Sequence, residues 1–99
     1  MATTTVLYPK GTNFNMDYYM SSHMPLVGSK LKSHGLTSWK VLQFPDESDF
    51  MVQATLEWGS MEEFQKAGST PEMKEIMEDV PNFADKQPTF LPGKVVGTS

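Results

Sequence analysis

The clearest structural signal in the sequence lies at residues 50–58, which read Phe-Met-Val-Gln-Ala-Thr-Leu-Glu-Trp. Apolar side chains alternate there with a mixed set that includes Gln53, Thr55 and Glu57. Because successive side chains of a strand point to opposite faces of a sheet, this pattern predicts a strand with one face in the core. The mixed set lies on the other face. Its composition is typical neither of a fully solvent-exposed face nor of a core face.

The segments on either side of this strand predict further strands and helices. We expect strands at residues 3–9, 36–44 and 89–91, and helices over residues 13–34, from residue 60 and from residue 70. Ser60 and Glu63 form a capping box, Thr70 caps a helix with Pro71 in its first turn, and Gly35 is a left-handed stop.

The order of elements, β-α-β-β-α-(α)-β, predicts a ferredoxin-like split βαβ fold of the α+β class. This fold has a four-stranded antiparallel sheet with helices on one face. Residues 1–99 are expected to form a single domain. Pro92-Gly93 should break the last strand, which Val95 and Val96 could continue as an edge or an exchange arm. The uncovered sheet face could pack against a second copy, which would give a homodimer with a dimeric α/β barrel.

Composition and charge exclude several classes of function. The 99 residues include eight lysines, no arginine, 12 acidic residues and no cysteine, and the net charge is −4. Nucleic acid and anionic membranes are therefore not expected partners. No stretch is typical of a membrane span or a signal peptide, so we expect a cytoplasmic protein. With two histidines and no thiolate no metal site is expected, and without a glycine-rich phosphate loop no cofactor is expected.

His23 is the strongest candidate for chemistry. Pro25 lies inside the same helical pattern, where its missing N–H and a clash with the Ser21 carbonyl should bend or end the helix. Tyr19 lies four residues before His23 on the same helix face, with Tyr18 beside it. A histidine next to a phenol can transfer protons near neutral pH. The alternative is that His23 and Tyr19 only close a polar gap beneath the sheet.

Other features have a simple structural explanation. His34 precedes Gly35 at a helix end, where a positive charge is favourable without any function. Trp58 belongs to the core face of its strand, whereas Trp39 could face a cavity. The eight methionines could line an adaptable pocket, although core filling is the commoner explanation. The acidic residues over 72–79 are expected to form a solvated helix face.

Four short strings, in order along the chain, resemble the EthD family of small dimeric α/β-barrel proteins. They are Val6-Leu7-Tyr8-Pro9, Asp17-Tyr18-Tyr19 through His23-Met24-Pro25-Leu26, Ser60-Met61-Glu62-Glu63, and Asp79-Val80-Pro81-Asn82-Phe83-Ala84. The resemblance implies a ferredoxin-like protomer, a homodimer with the two sheets face to face, and a pocket between sheet and helices. It also implies that His23 is the family histidine and that Tyr18 and Tyr19 are its paired tyrosines.

The same resemblance implies a function. Similar fungal members decarboxylate or dehydrate anthrone-like polyketide intermediates, and related muconolactone isomerases perform proton chemistry without a cofactor. We therefore expect a cofactor-independent lyase or isomerase that acts on a small apolar organic ligand, a ring compound such as a polyketide-derived aromatic or a lactone. The reaction would be a decarboxylation, dehydration, isomerisation or cyclisation. The expected catalytic residues are His23, Tyr19 and Tyr18, and the expected substrate-binding residues are Trp39, Met20, Met24, Phe83 and Tyr8.

Two alternatives stay open at this point. One is a non-catalytic dimeric binding or accessory protein for a hydrophobic metabolite, which would use the same pocket without turnover. The other, by analogy of fold alone, is a haem-handling barrel with His23 as the axial ligand.

Overall fold

The computed structural model describes residues 1–99. The strands are β1 (Ala2–Pro9), β2 (Leu36–Gln43), β3 (Phe50–Trp58) and β4 (Thr89–Lys94). The α-helices are α1 (Met16–Tyr18), α2 (Met24–Leu31), α3 (Met61–Ala67) and α4 (Pro71–Glu78). A π-helical turn (Tyr19–His23) joins α1 to α2, and short 3-10 turns follow α2 (Lys32–His34) and α4 (Val80–Asn82). None of these helices has the length and hydrophobicity that crossing a membrane requires.

The four strands form one antiparallel sheet in the order β2-β3-β1-β4. The predicted ferredoxin-like fold is therefore confirmed. The inner face of β1 and β3 is buried against the helices, and most of its side chains belong to the hydrophobic core. On the outer face, Thr3 donates a hydrogen bond to Glu57 at 2.8 Å, and Gln53 stays half-buried. The alternation at residues 50–58 thus separates a core face from a second, mixed face, as its pattern predicts.

The first helical segment is continuous but changes its pitch in the middle. Asn15 caps it, because its side-chain oxygen accepts a hydrogen bond from the Tyr18 N–H at 3.0 Å. The chain then widens into the π-helical turn, and α2 begins at Met24 with Pro25 in its first turn. The widened turn, in which the Met24 N–H bonds the Tyr19 carbonyl, lets the helix continue past a proline that lacks an N–H and would clash with the preceding turn of a regular α-helix. Widened turns of this kind are frequent at functional sites.

Gly35 follows α2 in a left-handed conformation, with φ at +105°. A Cβ at this position would lie 2.8 Å from the Glu63 Cβ. We expect Gly35→Ala to lower the free energy of unfolding by about 2 kcal/mol or more, because left-handed strain alone costs roughly 1–2 kcal/mol and the clash adds to it. Denaturant titration measures the loss.

Gly68→Ala is the matched control for this variant. Gly68 has an ordinary φ of −62°, and a Cβ there would meet only van der Waals contacts. The alanine should be neutral or slightly stabilising at this position, since it restricts the unfolded chain. Equal losses in the two variants would contradict the left-handed role of Gly35.

The last strand departs from the prediction. β4 runs through Pro92 and Gly93 to Lys94, and the Val95 N–H then donates to the Met1 carbonyl at 3.0 Å. β4 is an edge strand, so a proline can turn its missing N–H away from the ladder at no cost in hydrogen bonds. The prediction that Pro92-Gly93 breaks the strand is wrong for this reason.

Candidate functional site

His23 and Asp79 form a hydrogen-bonded pair between the first helical segment and the end of α4. His23 is the last residue of the π-helical turn and is 5% exposed. Asp79 is the C-cap of α4, and its Oδ2 lies 2.9 Å from the His23 Nδ1. A carboxylate at Nδ1 favours the tautomer with its proton on Nδ1, which leaves Nε2 as a proton acceptor. The pair therefore has the arrangement of an oriented general base.

Asp79 also connects His23 to two further polar side chains. Its Oδ1 accepts hydrogen bonds from the Tyr18 hydroxyl at 2.6 Å and from the Asn82 amide at 2.9 Å. The Asp79 side chain is 12% exposed, so the expectation of a solvated acidic face is wrong for this residue. Tyr18 reaches His23 only through the carboxylate, which it holds in place.

Tyr19 and Phe83 pack against the His23 ring. Tyr19 stacks on the imidazole with ring centroids 5.3 Å apart and planes 16° from parallel. The Phe83 centroid is 4.4 Å from that of the imidazole, and Tyr8 lies behind Tyr19 at 6.1 Å. The close approach of Tyr19 to His23 is a stacking contact, and the hydrogen bond of the imidazole goes to Asp79 instead.

The surroundings shift the pKa values of these groups. Burial lowers the pKa of His23 below its ordinary 6.5, although the hydrogen bond and charge of Asp79 oppose this shift. Burial acts to raise the pKa of Asp79, but hydrogen bonds from Tyr18, Asn82 and His23 outweigh it and lower that pKa. The hydrogen bond to Asp79 raises the pKa of Tyr18, and burial raises the pKa of Tyr19. At neutral pH the pair is therefore a neutral imidazole beside a carboxylate, flanked by protonated tyrosines.

The lowered pKa of His23 predicts a pH dependence of stability. Between the folded-state pKa and the ordinary 6.5, the unfolded chain binds more protons at this residue than the folded chain does. The free energy of unfolding therefore falls as the pH falls through this window, and the contribution is fully present above 6.5. We expect thermal unfolding midpoints measured from pH 7 down to pH 5 to fall more in the wild type than in His23→Gln. Equal slopes in the two proteins would show that His23 is not held neutral by the fold.

A cavity lies between the sheet and the helices, with His23 in its wall. Of the 17 residues that line it, 15 are hydrophobic, which suits an apolar ligand. The sheet contributes Thr4, Val6, Tyr8, Ala54, Leu56, Trp58 and Phe90, and the helical segments contribute Tyr19, His23, Met24, Val27, Leu31, Phe64, Met73, Ile76, Met77 and Val80. The cavity volume is about 50 Å³, whereas a cavity that binds benzene measures roughly 150 Å³. A ring compound would therefore have to displace side chains, and the flexible methionines are the easiest to displace.

The structure brings only some of the predicted site residues together. Tyr8, Tyr19, His23 and Met24 line the cavity, and Phe83 contacts the imidazole without lining the cavity. Tyr18 is half-buried and bonded to Asp79 rather than placed in the wall.

Two predicted binding residues lie outside the cavity wall. Met20 is 40% exposed. Trp39 packs against α2 where Gly28 leaves room, since a Cβ on Gly28 would lie 3.2 Å from the Trp39 Nε1. The tryptophan in the wall is Trp58, which the strand pattern assigned to the core.

Comparison with known proteins agrees with this architecture. The EthD domain profile matches residues 13–87, which is well over half of the chain. The chain belongs to the EthD family. An EthD-like protein from Ralstonia eutropha JMP134 is 24% identical with a TM-score of 0.83, over 99% of this chain and 94% of that one. An EthD family protein from Bacillus halodurans C-125 is 26% identical with a TM-score of 0.77, over 97% and 99% of the two chains.

A more distant likeness concerns the fold alone. SnoaB, a cofactor-independent oxygenase from Streptomyces nogalater, is 10% identical with a TM-score of 0.73, over 98% of this EthD chain and 94% of SnoaB. No curated protein matches the chain.

Sequence reasoning missed Asp79 and Asn82, which complete the site of this EthD protein. Both residues lie in the string from Asp79 to Ala84, whose resemblance to the family was the signal that could have found them. Their spacing of three residues across a helix end lets both side chains turn toward the same point, where Asn82 bonds the Asp79 carboxylate.

Proposed function

We propose that this EthD protein is a cofactor-independent enzyme that transfers a proton from a small apolar ring compound. The observation that carries the proposal is the Asp79–His23 pair, 2.9 Å apart, at the wall of an apolar cavity. The neutral imidazole accepts the proton at Nε2, and the carboxylate stabilises the imidazolium that forms. Loss of that proton from a carbon initiates dehydration, isomerisation or cyclisation, depending on the ligand. In a decarboxylation the proton comes from the carboxyl group instead, and His23 returns it to the carbon that loses CO₂.

The remaining polar residues have distinct roles in this proposal. Tyr18 and Asn82 are positioning residues, because both bond the Asp79 oxygen that His23 leaves free. Tyr19 lines the cavity beside His23, so its hydroxyl is the phenol that can polarise an oxygen of the ligand. Its raised pKa keeps that hydroxyl protonated at neutral pH.

The apolar lining of the cavity favours a ring compound, such as a polyketide-derived aromatic or a lactone, as the substrate. Met73 and Met77 are half-buried in this wall and Phe90 is exposed, so the wall can open on the side of α4 and β4. The fold itself supports chemistry without a cofactor, since SnoaB is a cofactor-independent oxygenase on the same fold. Haem, which is far larger than benzene, would require a much greater rearrangement, so axial ligation by His23 is not part of the proposal.

We further propose that the protein is a homodimer joined through the outer sheet face. Leu42 is 41% exposed and Leu91 is 53% exposed. Their pairing with Gln53 and Thr5 places both side chains on that face. A second copy would remove this apolar surface from water.

A ligand screen tests the enzyme against the alternative of a non-catalytic binding or accessory protein. Native mass spectrometry of the wild type and His23→Gln, with phenols, lactones, anthrones and quinones, follows ligand mass and product mass together. If only the wild type converts the ligand, the protein is an enzyme that depends on His23. If both proteins bind the ligand equally and leave it unchanged, the protein is a binding or accessory protein. The same spectra should show twice the 11.1 kDa chain mass if the dimer forms.

A further inference from the structure

Two polar atoms at the cavity are buried without a hydrogen-bond partner. They are the Trp58 Nε1 and the Thr4 Oγ1. Trp58 is 0% exposed and Thr4 is 2% exposed, so neither residue is open to bulk solvent. Nearly all buried polar groups in native proteins have a partner, and an unpaired donor beside a cavity is a place where a ligand oxygen can supply one.

The two residues that carry these atoms lie close together on the sheet face that lines the cavity. Ala2 pairs with Trp58 and Thr4 pairs with Leu56 across β1 and β3. Thr4 and Trp58 are therefore diagonal neighbours on one sheet face, about 7–8 Å apart at the backbone and within reach of an aromatic side chain. Both residues line the cavity that His23 also lines.

His23 lies toward a different end of that cavity. It stacks on Tyr19, which packs on Tyr8. Tyr8 is four residues beyond Thr4 on β1, about 13 Å along the strand. A ligand that meets both the unpaired donors and the imidazole must therefore be long enough to bridge the two ends, with its oxygen and its acidic carbon on opposite sides of a ring.

We propose that Trp58 and Thr4 are the oxygen anchor of the site, and that the ligand is a ring ketone or lactone whose acidic C–H lies across the conjugated ring from its carbonyl. The Trp58 N–H and the Thr4 O–H each donate to one lone pair of a single carbonyl oxygen. The acidic C–H of the ligand then lies away from this oxygen, toward His23. The proton-transfer step rests on the proposed function, whereas the recognition of the oxygen does not.

The step balances without any added oxidant or reductant. His23 Nε2 takes the proton from the acidic carbon, and the electron pair of the broken C–H bond passes through the conjugated ring to the carbonyl oxygen. The resulting enolate is stabilised by two fixed donors, which act as an oxyanion hole. Return of the proton to another carbon restores the neutral imidazole and yields an isomer.

Acetophenone and ethylbenzene, a ketone and its hydrocarbon counterpart, test the anchor by calorimetric titration and NMR. We expect the wild type to bind the ketone about tenfold more tightly than the hydrocarbon, and Thr4→Val and Trp58→Phe each to lose most of that preference. The Trp58 indole N–H resonance should move with acetophenone and not with ethylbenzene, while the Trp39 resonance, outside the cavity wall, serves as the internal reference. Thr5→Val, on the outer sheet face, should keep the preference.

Several outcomes separate this inference from the proposed function. A ketone preference that persists in both Thr4→Val and Trp58→Phe overturns the anchor, as does a failure of acetophenone to bind at its solubility limit. If the preference depends on Thr4 and Trp58 but His23→Gln transfers protons as fast as the wild type, the anchor stands and the proposed function fails. Thr4→Val is close to isosteric, so it keeps the test valid if Trp58→Phe does not fold.

Discussion

Replacing His23 by glutamine is expected to lower the rate of proton transfer by about 10²–10⁴-fold, the usual contribution of a positioned acid or base. Glutamine keeps a polar side chain of similar length but has no group that accepts a proton at neutral pH. Ligand affinity should change far less, since the cavity wall is mostly apolar and stays in place. Stopped-flow or mass-spectrometric rates with a ligand identified by the screen measure the effect.

His34→Gln is the matched control for this variant. His34 is the other histidine of the chain, and it lies 3.6 Å from Glu72 rather than at the cavity. It should leave the rate unchanged. A His23→Gln protein that is folded, binds the ligand and turns it over at the wild-type rate would return His23 to a structural role.

Replacing Asp79 by asparagine is expected to lower the rate about as strongly, because it disables the base without removing it. The asparagine amide can donate to Nδ1, which favours the tautomer whose Nε2 carries the proton and cannot accept another. Where a histidine base relies on such a carboxylate, this change costs on the order of 10⁴ in rate. The charge and hydrogen bond of Asp79 raise the pKa of His23. Because the asparagine removes both effects, the midpoint of the pH–rate profile should also move to lower pH.

The direction of this pH dependence follows from the base role. The rate should rise with pH through the His23 pKa, below 6.5, and then level off, because only the neutral imidazole accepts a proton. Tyr18→Phe is the comparison variant, since it removes one hydrogen bond to Asp79 and leaves the His23 contact intact. It should cost no more than about tenfold. A loss in Tyr18→Phe as large as that in Asp79→Asn would instead give Tyr18 a direct part in proton transfer.

The fold was predictable because its signals are local. The alternation at residues 50–58 depends only on strand geometry. The Ser60 hydroxyl accepts from the Glu63 N–H at 3.1 Å and the Thr70 hydroxyl accepts from the Met73 N–H at 3.2 Å, each within one helical turn. Pro92 was misjudged because its cost depends on whether β4 is an edge strand, which is decided by pairing with β1.

The sequence predicted the part of the site that lies beside an interruption of a helical pattern. Pro25 pointed to His23, and the helix indeed changes pitch there. Asp79 lies 56 residues away in the sequence, and only the packing of α4 against the first helical segment brings it to the imidazole. The π-helical turn also changes the rotation of the helix, so spacing could not decide that Tyr19 stacks on His23 while Tyr18 bonds Asp79.

Trp58 rather than Trp39 lies in the cavity wall, and the geometry of the two strands explains the difference. A register shift between Leu36 and Ser38 interrupts the alternation of β2, so simple counting along this strand does not locate Trp39. Trp39 pairs with Leu56 and packs toward Gly28 of α2, beside the cavity rather than in it. Trp58 lies on the central strand β3, and its burial in a regular core pattern conceals its place in the cavity wall.

Deuterium exchange tests proton transfer at His23 most directly, because it does not require the complete reaction. Anthrone and a β,γ-unsaturated lactone, each with an acidic C–H, are incubated in D₂O with the wild type or His23→Gln, and NMR follows the loss of that proton signal. We predict that the wild type accelerates exchange of at least one of them and that His23→Gln does not exceed the rate without protein. Equal exchange rates with both proteins, for a ligand shown to bind both, would contradict the assignment of His23 as the base.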